Sequence, residues 1–153
     1  MTDAVGTIST PIRLDYTVTA GVALTRFLQG LAEQTIRGQR CPRCSKVYVP
    51  PRGSCTLCGV PTEEEVEVAD AGTVTTFCVV NLPFYGQALE IPYVCGSVLL
   101  DGADTAFQWL LQEVRPEDVH MGMRVTAVWA DRPGPHMESI RYFKPLGAEE
   151  AAA

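Results

Sequence analysis

The chain has 153 residues, 46% of them hydrophobic and 20% charged, which suits one folded domain with a small attached module and argues against disorder. Its formal net charge of −6 disfavours a protein that coats a nucleic-acid backbone. No apolar run approaches about 18 residues, and Met1-Thr2-Asp3-Ala4-Val5-Gly6 lacks a basic stretch ahead of an apolar one. Neither a membrane span nor a secretory leader is therefore expected, and the chain reads as cytoplasmic.

Residues 1–18 are polar and turn-rich and are expected to form a loose arm. Over 19–38, Leu24, Phe27, Leu28, Leu31 and Ile36 recur at roughly helical spacing, with Thr19 as a candidate cap and Gly38 as a stop. This helix either packs on its own domain or presents Phe27 and Leu31 to a partner. Next, Cys41-Pro42-Arg43-Cys44 and Cys55-Thr56-Leu57-Cys58 form a ribbon over 39–61, turned by Pro50-Pro51-Arg52. Two residues between cysteines let one tight turn aim both thiolates at one ion, and a second such turn completes a tetrahedron. Gly59 suits the strained position after the second pair, where the first has Ser45. One structural Zn²⁺ on Cys41, Cys44, Cys55 and Cys58 is the expected cofactor, with iron in a rubredoxin-like site as the lesser alternative. Four sulfurs leave no open position for a substrate or water, so the metal is expected to fold the ribbon rather than to catalyse.

Residues 62–146 change to β periodicity. An acidic stretch, Glu63-Glu64-Glu65-Val66-Glu67-Val68, leads to a turn at Asp70-Ala71-Gly72, and strands are expected over 73–82, 93–100, 105–111, 124–129 and 139–143. A non-strand connector precedes the last two. The fold class is therefore mainly β: an N-terminal helix, a rubredoxin-like four-cysteine ribbon, and a five-stranded Greek-key barrel of the OB type. Residues 147–153 are expected to be a disordered tail.

The connection from Pro83 to Pro92 holds Phe84, Tyr85, Leu89 and Ile91 with a single charge, Glu90. Loops run over the surface, so a loop this apolar should be covered, either by its own barrel or by a partner; a partner-facing tip is the favoured expectation. Catalytic groups are sparse. His120 and His136 sit in polar connectors and read as surface residues, and Cys78 and Cys95 read as buried inert thiols within apolar strands. The two cysteines are symmetric about position 86–87, which makes them cross-strand neighbours if 73–82 and 93–100 form a hairpin. Charge is also uneven. Five basic residues and no acids lie between Glu33 and Glu63, and five acids follow within 63–70.

The order of these segments is informative. Arg40-Cys41, Cys44, Pro50-Pro51-Arg52, Cys55, Cys58, Gly72-Thr73-Val74, Pro92-Tyr93-Val94 and Gly122-Met123-Arg124-Val125 together resemble the zinc-ribbon/OB-fold acyl-CoA-associated family known as domain of unknown function 35, over roughly residues 20–146. The resemblance implies a non-catalytic subunit that binds a thiolase-like (lipid-transfer-protein-like) enzyme as a hetero-oligomer. Such complexes carry out thiolysis or retro-aldol cleavage of acyl-CoA, including lipid or steroid side chains, and the catalytic residues then belong to the partner. An alternative within the family is direct acyl-CoA binding, with Arg40, Arg43, Lys46 and Arg52 meeting the CoA phosphates. A second alternative, single-stranded nucleic-acid binding by the barrel, would need Phe77, Phe107, Trp109 and Trp129 as stacking platforms. A third, electron transfer at an iron-loaded ribbon, would show in the protein's colour. The composition favours neither a nucleic-acid nor a membrane partner.

Overall fold

The computed structural model describes Gly6, Ile8 and residues 14–147. The expected arm over 1–18 and tail over 147–153 lie largely outside the described residues. The first element is α1, Gly21–Ala32. Its sequence periodicity suggested a helix to Gly38, but the chain turns earlier. Gln34 adopts a left-handed conformation (φ 57°), and the N–H groups of Gln34 and Thr35 donate to the carbonyls of Leu31 and Gly30. These two bonds form a Schellman closure without the usual glycine. Gly30 makes it possible, because a Cβ there would sit 2.8 Å from the Thr35 carbonyl oxygen. Nor does Thr19 cap the helix; Ala20 precedes its first turn, with no side-chain cap bond.

Ile36 therefore belongs to β1, Ile36–Arg40, the central strand of a three-stranded antiparallel sheet. On one side lies β2, Val47–Tyr48, and on the other β3, Glu64–Val68. Gly38 is not a helix stop. It lies in mid-strand against the hairpin, where a Cβ would meet Val49 Cγ2 at 2.8 Å and the Tyr48 carbonyl oxygen at 2.9 Å. The acidic segment is likewise not a barrel strand, since β3 pairs with β1 along its whole length.

The barrel is built from β4 (Ala71–Val80), β5 (Tyr93–Leu100), β6 (Ala106–Leu111), β7 (Arg124–Trp129) and β8 (Ile140–Pro145), closed in the order β4-β5-β6-β8-β7. All pairs are antiparallel except β6 with β8. This is the five-stranded Greek-key topology of the OB fold, with a 3-10 turn at Pro116–Asp118 in the connector before β7. One continuous apolar core runs from Phe27 and Leu31 of α1, through Ile36, Val47 and Val49, to Val74, Val98, Phe107, Val125, Ile140 and Phe143 of the barrel.

The Gly-Thr-Val and Gly-Met-Arg-Val segments close the barrel. Gly72 pairs with Leu100 on one side and with Val125 on the other. Arg124 reaches across β4 to donate to both carboxylate oxygens of Asp101 (2.8 and 2.5 Å) and to Thr73 Oγ1 (3.1 Å). That guanidinium holds the Asp101 carboxyl below its usual range.

A Cβ on Gly72 would lie 2.3 Å from the Leu99 carbonyl oxygen and 2.8 Å from Leu100 Cα, both backbone atoms of the paired strand. Gly72→Ala must therefore part β4 from β5 at the closure point. Its expected cost is about 1–3 kcal/mol, the range for overpacking, seen as a lower urea midpoint at unchanged slope.

Candidate metal centre and apolar loop

The ribbon's two knuckles have the same local geometry. In each, the N–H of the residue after the second cysteine returns to the carbonyl of the first: Ser45 to Cys41 and Gly59 to Cys55, both at 2.9 Å. Ser45 and Gly59 both take positive φ, so the place where sequence favoured glycine is filled once by serine at φ 61°. Backbone N–H groups inside each knuckle point at the first sulfur: Arg43 and Cys44 at Cys41 Sγ (3.4 and 3.5 Å), and Cys58 at Cys55 Sγ (3.3 Å). These donors stabilise thiolates before any ion arrives.

All four sulfurs lie within 4.8 Å of one another, and Cys44 Sγ is 3.7 Å from Cys55 Sγ. A tetrahedral ion with bonds of about 2.3 Å requires sulfur separations of about 3.8 Å, so the four fit such an ion. Cys41 and Cys55 are buried, and Cys44 and Cys58 are half-buried. The expected ligand set is thus brought together whole, as a structural metal site.

Sequence reasoning missed Tyr48. Its ring is buried against the sulfur cluster, and its hydroxyl lies 3.2 Å from Cys55 Sγ and 3.2 Å from Thr56 Oγ1. With Cys55 as thiolate, Tyr48 donates to the sulfur and accepts from Thr56. This bond draws the Cys55 thiol down to about 6, whereas desolvation and the neighbouring sulfurs push Cys58 up to about 12. The only sequence signal was alternation in the short segment 47–49, where the middle residue faces away from its two valine neighbours.

The ribbon is tied to the rest by polar groups at two points. Gln39 of β1 is buried and accepts from Gly53 N–H (3.2 Å) and Thr62 Oγ1 (3.1 Å), joining the two ends of the second knuckle. The turn after β5 clasps β2. Asp104 accepts the Val47 N–H (2.9 Å) and donates its own N–H to the Val47 carbonyl (2.8 Å), while Thr105 Oγ1 bonds both the N–H and the carbonyl of Val49.

The basic cluster is less free than the sequence suggests. Arg40 pairs with Glu64 at 3.2 Å and Lys46 with Asp104 at 3.5 Å. Arg26 pairs with Glu65, and Arg37 pairs with Glu33 at 2.5 Å. Three of the five basic residues between Glu33 and Glu63 thus face acids, of which Glu64 alone comes from the acidic segment; Arg43 and Arg52 remain exposed.

The other candidates separate clearly. Phe27 and Leu31 are 1% and 0% exposed, packed in this chain's own core and out of reach of a partner. The loop residues stand out instead: Phe84 is 59% and Tyr85 89% exposed, with Leu82, Leu89 and Ile91 also exposed. The tip is shaped by its own bonds. Gln87 accepts from the Phe84 N–H through Oε1 and donates its backbone N–H to the Phe84 carbonyl, both at 3.2 Å, and Gly86 turns at φ 83°. The candidate stacking aromatics pack inward: Phe107 is core, Phe77, Trp109 and Trp129 pack against that core, and Trp109 Nε1 donates to the Ile140 carbonyl. His120 and His136 are exposed on polar turns. Cys78 and Cys95 are cross-strand partners, as symmetry predicted, but they are exposed rather than buried.

Comparison with known proteins matches the chain in two adjoining parts. Residues 28–64 match the ChsH2 rubredoxin-like zinc ribbon domain, and residues 65–130 match the ChsH2 C-terminal OB-fold domain. A DUF35 domain-containing scaffold protein of Methanocaldococcus jannaschii is 37% identical over 94 residues, 60% of this chain and 65% of that protein. A probable enoyl-CoA hydratase alpha subunit of Thermomonospora curvata is 32% identical over 112 residues, 73% of this chain and 34% of that protein. The chain thus spans just under two thirds of one curated relative and about a third of the other. Among solved structures, a chain of the Ltp2-ChsH2(DUF35) aldolase superposes with a TM-score of 0.61 at 27% identity, covering 78% of this chain and 91% of that one. A protein of unknown function from the DUF35 family of Sulfolobus solfataricus shares the fold, with a TM-score of 0.64 at 20% identity over 82% and 87% of the two chains.

Tyr48→Phe keeps the ring and removes only the donor to Cys55. Loss of such an outer hydrogen bond typically weakens a metal site about 10–100-fold. Metal release to a chelator should accelerate by that order, and because the Cys55 thiol rises without its donor, acid-driven release should shift to higher pH. The far-UV circular dichroism of the metal-saturated variant should be unchanged. An unaltered release rate would leave Tyr48 with a packing role alone.

Proposed function

This chain belongs to the zinc-ribbon/OB-fold family of ChsH2 and DUF35 proteins, and from that premise we propose that it is a non-catalytic subunit that docks on a thiolase-fold enzyme acting on acyl-CoA. The observation that carries this reading is the exposed tip Phe84-Tyr85, held in shape by Gln87, on a barrel whose Phe and Trp strand residues pack on its own core. Burial of such aromatics in an interface core is worth about 1.5–3 kcal/mol per side chain before ordering costs, and the preformed turn lowers those costs. The metal is zinc, held by Cys41, Cys44, Cys55 and Cys58, and it serves to fold the ribbon.

Among the described residues no nucleophile is paired with a base. His120 Nδ1 lies 3.0 Å from the Asp118 carbonyl oxygen, and His136 faces Glu138. The bond-breaking groups for retro-aldol or thiolytic cleavage, with lipid- or steroid-derived acyl chains in scope, would therefore come from the partner. One structural relative is an aldolase named for two components, Ltp2 and ChsH2, and the Methanocaldococcus relative is a scaffold protein; both support a hetero-oligomer. Direct CoA binding is the weaker reading, since Arg40 and Lys46 already face acids.

Where a thiolase-like enzyme is encoded beside this chain, co-expression of the two should give a stoichiometric complex. Phe84→Ala with Tyr85→Ala should weaken association by at least about tenfold, the scale of an interface hot spot, with no change in metal content or thermal unfolding. Calorimetric titration of the isolated chain with CoA should give no heat. Unchanged co-elution of the double variant would exclude the loop as the docking face, and heat with CoA would favour a carrier.

A further inference from the structure

The outer face of β4, β5 and β6 carries a groove of about 440 Å³, lined by Thr76, Cys78, Cys95, Ser97, Gln108 and Leu110 among others. Its two cysteines are the chain's only ones outside the metal cluster. Both are exposed, and they are direct partners in the antiparallel β4–β5 register, two residues in from the strand ends that carry the apolar loop. We propose that Cys78 and Cys95 form a dithiol modification site, which a small disulfide converts into a cross-strand disulfide at the base of that loop.

Directly opposed residues of an antiparallel pair have Cα atoms about 4.5–5.5 Å apart. A disulfide spans Cα separations of about 4.4–6.8 Å, so this pair can be joined without parting the strands. The chemistry is thiol–disulfide exchange with a low-molecular-weight disulfide, RSSR, as oxidant. One cysteine, as thiolate, attacks a sulfur of RSSR, forming a mixed disulfide and releasing RS⁻, which takes up a proton. The second cysteine loses its proton and attacks the protein-side sulfur, closing the Cys78–Cys95 bond and releasing a second RSH. Two electrons pass from the two thiols to RSSR, and their two protons leave with the two RSH molecules. Partial burial and the neighbouring Cys78 push the Cys95 thiol up, so exchange should run faster as pH rises. Closure would remove two thiols from the groove and tie together the feet of the loop.

The test uses the full-length, metal-loaded chain incubated with oxidised glutathione, then desalted and read by intact mass and peptide mapping. The expected product has lost two hydrogens, carries Cys78 and Cys95 in one cross-linked peptide, keeps its metal, and shows no fast-reacting thiol where the untreated protein shows two. Cys78→Ser should stop at a single glutathione adduct on Cys95. A wild-type chain that stays reduced, stops at glutathione adducts, links between chains, or cross-links a metal-ligating cysteine overturns the proposal.

Discussion

The ribbon on the N-terminal side of the barrel depends on holding four sulfurs within bonding distance of one point. The cluster around them contains little else: Cys41, Tyr48 and Cys55 are buried, with Cys44, Cys58 and Val60 packed at its edge. So few side chains cannot offset the entropy of ordering two knuckles and their hairpin, and bringing four thiolates together without a counter-ion adds repulsion. A bound dication supplies both the cross-link and the charge. The constraint then propagates through β2 by strand alternation. Tyr48 faces the sulfurs, whereas its neighbours Val47 and Val49 face the other way, into the core shared by α1 and the barrel. A two-residue strand thereby joins a metal-held module to a hydrophobically held one.

The parts of this structure legible in the sequence were those whose signal is local and chemical. Doubled Cys-x-x-Cys spacing identified the ligand set, and runs of β-branched residues located the five barrel strands to within two residues at each end. The errors arose where tertiary packing reassigns a residue. Gly38 looked like a helix stop because glycine commonly terminates helices, yet its missing Cβ serves strand-to-hairpin contact, and the helix ends at Gln34 through a turn that Gly30 permits. Phe27 and Leu31 could be placed on an apolar face, but periodicity does not say which surface covers that face; it is this chain's own core. Cys78 was misplaced for a backbone reason. The register shift between Val74 and Thr76 inserts a residue into β4, so the side chains two and four positions past the buried Val74 turn outward instead of inward. No composition-based reading detects such a bulge.

Charge shows the same limit of linear reading. A basic ribbon followed at once by an acidic segment suggested two opposed surfaces, one of them suited to phosphates. Folding lays the acidic strand antiparallel along β1, so Arg40 meets Glu64, while Arg37 meets Glu33 and Lys46 meets Asp104 from outside that strand. At the surface such pairs contribute little stability each. Their effect is on what the molecule shows to others: the field of the ribbon is largely neutralised at short range, leaving Arg43 and Arg52 as its outward basic groups.

This neutralisation bears on which surface carries recognition. With the metal site closed by four sulfurs, the barrel closed by Gly72 and Arg124, and Phe77, Phe107, Trp109 and Trp129 packed on the core, the loop between β4 and β5 is an exposed apolar feature that the barrel does not cover. Monomeric proteins seldom keep a contiguous apolar patch exposed without a use for it. This loop is also not slack, since Gln87 bonds the backbone on both sides of the Phe84-Tyr85 turn and presents the two rings outward. Held away from this chain's own core, the Phe84 and Tyr85 rings add little apolar burial to folding. In the docking proposed above the turn would lower the ordering cost, and the β4–β5 hairpin that carries it is the one whose register places Cys78 beside Cys95.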